Sequence, residues 1–339
     1  MHEALTYDDV LLIPQYSDIE SRSDIDISNR LDKQIKLNIP IISSPMDTVT
    51  EHSMAVAVAQ HGGLGIIHRY NDIGTQCQLV ESALKDAWCG HVGAAVGVTG
   101  NYLERASSLV GAGIDVLCID VAHGHHVLVE RALGEIKKRH PIHVMAGNVA
   151  TSEGYKALAD WGADSVRCNI GGGSICSTRT QTGHGVPGLQ TIFECAAENL
   201  DVPIVADGGI RTSGDIAKAL GAGADFVMLG SLLAGTDESP GAMFVNSDGT
   251  GYKVYRGMAS HDAQNDWRGS LTSAPEGVST TIPYKGHVEH ILSDLAMGIR
   301  SGFSYTGART MSEFQAKARF VKQTNASQIE GTTHILRRP

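Results

Sequence analysis

Apolar residues collect in eight short runs along the chain: "PIISS" (40–44), "GLGIIH" (63–68), "VGAAVGV" (92–98), "DVLCID" (115–120), "HVMAGNV" (143–149), "SVRCNI" (165–170), "PIVADGG" (203–209) and "FVMLGS" (226–231). Each run is continuous rather than alternating and rich in Val, Ile and Leu, the pattern of strands buried on both faces. The spacers between them carry helical periodicity, as in "TEHSMAVAVAQHG" and "TSEGYKALADWG". A weak internal repeat joins the two kinds of element. "GAGIDVLCID", "DWGADSVRCNI" and "GAGADFVMLGS" each read helix end, Gly, Asp, strand, with the Gly suited to a helix C-cap. Eight such units predict an α/β fold of the parallel (β/α)8 barrel type. A doubly wound sheet is the alternative, but no GxGxxG follows the first run.

A barrel places its chemistry at the C-terminal ends of the strands. Polar residues stand there: Ser43 and Asp47, His68, Asp120 and His123, Asn148, the loop from Gly171 to Cys176, Asp207, and Gly230 with Ser231. Asp and Gly also mark ordinary loops, which accounts for part of this set. Two regions lie outside the eight units. The first residues read as an arm that closes the barrel bottom. Residues 245–285, rich in Gly, Ser and Thr, read as a long flap after the last strand. "HVEHILSDLAMGIRSG" then reads as the final helix. A single catalytic domain over 1–339 is expected.

Composition narrows the function. The chain is 42% apolar and 19% charged, ordinary for a globular protein. Its net charge is −10 with no Lys/Arg block, which leaves nucleic-acid binding without an electrostatic footprint. The six cysteines (77, 89, 118, 168, 176, 195) show neither CxxC nor zinc spacing. Cys118 and Cys168 sit in apolar runs and read as core thiols. The start "MHEALTYDDVLLIPQ" lacks a signal peptide's cationic and apolar regions, and no run reaches membrane-spanning length. A cytoplasmic protein is expected.

Two segments carry candidate chemistry. "NIGGGSICSTRTQTG" (169–183) sets three glycines three residues ahead of Cys176. Such a loop can converge amides on an anion or carbonyls on a monovalent cation; it can equally be a flexible turn. Cys176 is either a thiolate stabilised by loop amides and Arg179 or an inert thiol. Thr178 is either a proton relay or a capping hydroxyl. The second segment is "ADGGIRTSGDIAKALGAGADFVMLGS". Asp207 could accept from ribose hydroxyls, and Gly208, Gly209, Gly230 and Ser231 follow strands seven and eight, where barrels often bind phosphate.

"LTYDDVLLIPQYS", "SSPMDTVTEHSMAVAVAQHGGLGIIHR", "GGGSICSTR", "ADGGIRTSGDIAKALGAGADFVMLGSLLAGT" and "YRGM" resemble the IMP dehydrogenase/GMP reductase family over nearly the whole chain. The resemblance implies a purine nucleotide substrate, a nicotinamide cofactor and a covalent bond from a cysteine to purine C2. It implies Cys176 as nucleophile, Thr178 as proton-transferring hydroxyl and Glu276 as their acid partner. Gly171, Gly173, Cys176 and Arg179 match a loop holding a monovalent cation, with K+ the expected ion. Ser43, Asp207, Gly208, Gly209, Gly230, Ser231 and the segment Tyr255, Arg256, Gly257, Met258 match nucleotide contacts. Asp120, Val121, Ala122 and Ser301 match cofactor contacts. A homotetramer is the family expectation. The family loop usually reads Gly-Ile-Gly-Pro-Gly-Ser, whereas this chain reads Asn-Ile-Gly-Gly-Gly-Ser; Gly172 in place of Pro predicts a more mobile loop.

Three features favour the reductase branch, which converts GMP to IMP and ammonia with NADPH. Only "RYNDIGTQCQLVESALKDAWC" separates "IIH" from "VGAAVGV", so no regulatory (CBS) module is inserted there. The flap "QNDWRGSLTSAPEG" lacks the Arg-Tyr pair with which the dehydrogenase activates water. "TRTQTGHGVP" and the final helix also lean this way. "SSPMDTVTEH" and "GGLGIIH" lean to the dehydrogenase, which makes XMP from IMP with NAD and water and is the alternative reading.

Overall fold

The computed structural model describes residues 3–88, 90–269, 274–331 and 333. Eight parallel strands close into a barrel: β1 (Ile41–Ser43), β2 (Leu64–Ile67), β3 (His91–Val96), β4 (Val116–Asp120), β5 (His143–Val149), β6 (Ser165–Cys168), β7 (Ile204–Asp207) and β8 (Phe226–Leu229). All eight fall inside the apolar runs, allowing for one residue at the start of β3. Closure is made by β8 on β1, with Val227 opposite Ile41 and Leu229 opposite Ser43. Helices alternate with the strands, from His52–Gln60 after β1 to Val288–Thr306 at the end.

Strand periodicity sorts the apolar side chains into two cores. Ile42, Leu64, Ile66, Ala95, Val116, Met145, Val205, Phe226 and Met228 fill the barrel interior. Their neighbours along the strands, such as Ile41, Ile67, Val144 and Val227, pack outward on the helices. Cys118 and Cys168 are both buried, as expected of core thiols.

The hairpin of 29–30 on 36–37 brings Leu31, Ile35 and Leu37 into the interior cluster. Between its strands, Asp32 accepts from the Nδ1 of His143, the first residue of β5 (2.8 Å), and His143 Nε2 meets Ser165 Oγ at the start of β6 (2.8 Å). The arm therefore plugs the N-terminal mouth, and chemistry is confined to the other end.

The region read as a flap is more ordered than its composition implies. After β8 the chain forms a three-stranded antiparallel sheet from β9 (Met243–Val245), β10 (Gly251–Arg256) and β11 (Ser279–Pro283), with a helix His261–Arg268 between the last two. The alternating burial of β10, with Lys253 and Tyr255 buried, is the strand signal that Gly, Ser and Thr obscure. Residues 270–273 of the flap lie outside the described residues.

Candidate active site

A cavity of about 470 Å³ opens at the C-terminal ends of the strands. Its walls come from the loop after β6 (170–176), the loop after β7 (207–210), Gly230 and Ser231 after β8, and Tyr255, Gly257, Met258 and Glu276 from the flap. Cys176 is exposed there, while Cys118, Cys168 and Cys195 are buried.

The flap is stitched to the cysteine loop through backbone bonds. Ser177 N donates to Glu276 O (2.9 Å) and Val278 N donates to Ile175 O (2.9 Å). This pairing delivers Glu276 to Thr178, 98 residues away in sequence. Thr178 Oγ1 donates to Glu276 Oε2 (2.8 Å), and Cys176 Sγ lies 3.1 Å from the same Oγ1. A hydroxyl has one proton to give. With that proton on Glu276, the thiol is the donor in the Cys176–Thr178 bond. The three side chains form a continuous route from sulfur to carboxylate.

Arg167 anchors the deep wall. It projects from β6 and is buried, bonding Asp120 Oδ1 through Nη1 (2.8 Å) and Asp207 Oδ2 through Nη2 (2.9 Å). Burial alone would lower the affinity of this guanidinium for its proton, but Asp207 and Asp120 hold it well above the usual range. Burial likewise disfavours the Asp120 carboxylate, yet Arg167 and Arg69 outweigh burial and keep it below the usual carboxylate range. Asn148 adds a bond from Nδ2 to Asp207 Oδ2 (2.7 Å). Both strand-end aspartates are thus fixed in place before any ligand arrives.

Three wall atoms are buried with no hydrogen-bond partner: Ser44 Oγ, Asn148 Oδ1 and Arg69 Nε, the last facing Asp120 Oδ2 at 3.5 Å as an ion pair. A buried polar atom left unpaired is costly, so the two oxygens mark where a polar ligand belongs. Ser44 Oγ faces Gly230 beside Tyr255 Oη and Met46 Sδ. Asn148 stands at the opposite wall with Asp207. The cavity continues along Asp120, Val121 and Ala122 to Arg69, Gly97 and Thr99, which also line a second cavity of about 790 Å³. A dinucleotide needs an elongated cleft of this kind, and the wall fits one.

The sequence of one family, described as "IMP dehydrogenase / GMP reductase domain", matches residues 4–334. The chain belongs to the IMP dehydrogenase/GMP reductase family. Among its relatives in this family, an inosine-5'-monophosphate dehydrogenase from Cryptosporidium parvum is 40% identical, covering 98% of this chain and 95% of its own. A GMP reductase from Leishmania major is 34% identical, covering 98% and 97%. A crystal structure of a Trypanosoma brucei GMP reductase in complex with guanosine 5'-monophosphate superposes with a TM-score of 0.93 at 33% identity, covering 98% of each chain. The family fold is the closed barrel described above, and family members use a nicotinamide cofactor for hydride transfer on a purine nucleotide. Alignments to the dehydrogenase from Nitrosopumilus maritimus and the L. major reductase run over 468 and 477 positions, beyond this chain's 339 residues. A shorter chain therefore does not separate the two activities in this family.

The structure redistributes several family residues expected at the site. Cys176, Thr178, Glu276, Asp207, Gly208, Gly209, Gly230, Ser231, Tyr255, Gly257, Met258, Asp120, Val121, Ala122, Gly171 and Gly173 line the cavity. Ser43 does not: it is fully buried and accepts from Thr50 Oγ1 (2.9 Å), and the next residue, Ser44, faces the cavity instead. Arg256 does not either. Strand alternation points Tyr255 inward and sends Arg256 to Asp47 Oδ2 (2.7 Å) and Asp266 Oδ2 (2.5 Å). Ser301 lies on the outer helix Val288–Thr306, where its Oγ donates to Met297 O (3.0 Å), away from this chain's cavity. The Arg179 guanidinium serves the loop rather than the thiol: Nη2 donates to Ile170 O (3.2 Å) and Val186 O (2.5 Å). Arg167, Arg69 and Ser44 escaped the sequence reading. An arginine inside an otherwise apolar barrel strand, with two strand-end aspartates to neutralise, is the signal for Arg167.

Proposed function

We propose that this chain is a GMP reductase, converting GMP to IMP and ammonia through a covalent thioimidate on Cys176. The observation that carries the reading is the Cys176–Thr178–Glu276 relay. It supplies an acid for an amine leaving group, while the flap sequence lacks the Arg-Tyr pair a hydrolytic step needs.

The proton route sets the order of events. Cys176 passes its proton through Thr178 to Glu276, and the thiolate adds to C2 of the purine. Glu276 then protonates the 2-amino group, which departs as ammonia and leaves C2 bonded to sulfur. A nicotinamide cofactor held along the wall, NADPH on this reading, would supply the hydride that C2 requires. The electrons of the C–S bond return to sulfur and IMP is released. Asp207, held by Arg167 and Asn148, orients the ribose, and the loops at 208–209 and 230–231 receive the phosphate. Ser44 and Tyr255 complete that wall. Asp120, Val121 and Ala122 would hold the cofactor, with Ser301 outside this chain's cavity. The loop carbonyls of Gly171, Gly173 and Cys176 would hold a K+ ion, with Arg179 in the short helix that follows, its carbonyl accepting from Gly183 N (3.1 Å); the ion would tighten the loop and enter no step. We place the working enzyme in the cytoplasm as a homotetramer; no described helix is long and apolar enough to cross a membrane.

The dehydrogenase alternative keeps the same cysteine and draws on the 40% identity to the C. parvum enzyme. One assay separates them. GMP with NADPH should give falling absorbance at 340 nm and equimolar ammonia, and IMP with NAD should give no reaction. Rising absorbance with IMP and NAD would assign the dehydrogenase instead. Cys176→Ala should stop turnover while GMP still binds in calorimetry, and Glu276→Gln should slow ammonia release by roughly 10²–10⁴-fold.

A further inference from the structure

Asn169 ends the β6 run with a backbone φ of +137°, a region that side chains other than glycine rarely occupy. The residue is buried, and its amide reaches across to the next loop. Nδ2 donates to Asp207 O (2.9 Å) and to Gly208 O (3.4 Å), while Oδ1 accepts from Arg179 Nη2 (3.4 Å). Its backbone is pinned as well: N donates to Val149 O (2.7 Å), and O accepts from Asn148 Nδ2 (3.0 Å).

The amide lies in a slot cut by two glycines. A Cβ on Gly172 would overlap Asn169 Nδ2 and come within 2.8 Å of its Cγ. A Cβ on Gly188 would stand 3.0 Å from the same Nδ2. Across the slot the two loops touch backbone to backbone. A Cβ on Gly208 would meet Gly173 N at 3.2 Å, and one on Gly209 would meet Gly172 O at 3.1 Å. The loop bearing Cys176 and the loop bearing Asp207 are thus one packed unit, and Asn169 bridges them from within the slot, beside Asn148, whose Nδ2 spans Asn169 O and Asp207 Oδ2.

We infer that Asn169 is a positioning residue that fixes the Cys176 loop against the nucleotide-binding loop, and that Gly172 is its obligatory partner. The inference rests on the nucleotide-site reading above. In this arrangement the unusual glycine is a steric requirement of the asparagine, and the backbone strain at 169 is offset by the bonds the amide makes to Asp207 and Gly208.

A double-mutant cycle tests it. The variants are Gly172→Ala, Asn169→Gly and the two combined. The readouts are GMP affinity by calorimetry and the iodoacetamide alkylation rate of Cys176, with thermal melts as a check on folding. Gly172→Ala should weaken GMP binding about tenfold, and Asn169→Gly a few-fold. The combined variant should be no weaker than Asn169→Gly alone, because the clash has gone, and alkylation rates should follow the same order. Effects that multiply in the combined variant would overturn the inference. Should Gly172→Ala fail to fold, Asn169→Asp keeps the size and replaces the Nδ2 donor with an oxygen facing two carbonyls. Unchanged affinity and alkylation in that variant would equally overturn it. If the unaltered protein binds neither GMP nor IMP, the functional reading fails, and the alkylation cycle still decides the role of Asn169.

Discussion

At the residue scale, the site owes its shape to charges that satisfy one another rather than to charges awaiting substrate. Arg167 is buried between Asp120 and Asp207. Removing it would leave two carboxylates facing each other in a low-dielectric wall. Arg167→Met, close in volume, should therefore destabilise the fold by about 3–5 kcal/mol, read as a fall in the urea midpoint. It should also raise the pKa of Asp120 by withdrawing its main counter-ion. A loss below about 1 kcal/mol would mean that water or a neighbouring cation replaces the guanidinium. This scale is also where the sequence was least legible. Whether Ser43 or Ser44 faces the cavity depends on where β1 ends, and "PIISS" offers both. Arg256 was assigned by its neighbours in "YRGM", yet alternation turns it to Asp47. Asn169 and Gly172 are the two places where the loop departs from the family pattern, and only their shared space shows that they form one change.

At the scale of elements, legibility was high where burial is two-sided. Apolar runs such as 226–231 contain their strands because burial on both faces selects contiguous Val, Ile and Leu. It was lower for the flap, where one face is solvated and small polar residues mask the alternation. The plug hairpin was expected only as an arm, and its anchor, Asp32 to His143 to Ser165, is a long-range polar contact that no local pattern announces. That anchor makes stability depend on pH. Burial is the leading influence on His143 and lowers its pKa from the usual 6.5, against the opposing pull of Asp32. Asp32 is disfavoured as a carboxylate by burial, yet backbone bonds from Ile35 and Gln34 and the contact with His143 bring it below its ordinary value. A depressed folded-state pKa gives stability that is present above the unfolded-state value and is lost as pH falls. For His143 the loss should begin as pH drops below about 6.5 and saturate below its folded pKa, and for Asp32 it should follow below about 3.9. The melting temperature should therefore decline between pH 7 and pH 5, and His143→Asn should flatten that decline. A slope unchanged in this variant would place the titrating group elsewhere.

At the scale of the whole molecule, the barrel separates support from chemistry. The plug closes one mouth, and the flap sheet covers the other, where β-strand ends deliver Asp120, Asp207 and the Cys176 loop. The same closure bears on how the chain reaches its native state. β1, made of residues 41–43, finds its second neighbour only in β8, residues 226–229. Until β8 has emerged from the ribosome, β1 and β7 each present a row of unpaired backbone amides and carbonyls. Such edges invite pairing between nascent chains. A fragment ending at residue 221, before β8, should therefore associate into oligomers that bind thioflavin, while a fragment extended through residue 331 should stay monodisperse under the same conditions. Light scattering on the two fragments distinguishes these outcomes. An unassociated short fragment would show that the open barrel shields its own edges. The seam between β8 and β1 is the last pairing the barrel can make, and it places the greatest hazard of misassembly late in translation.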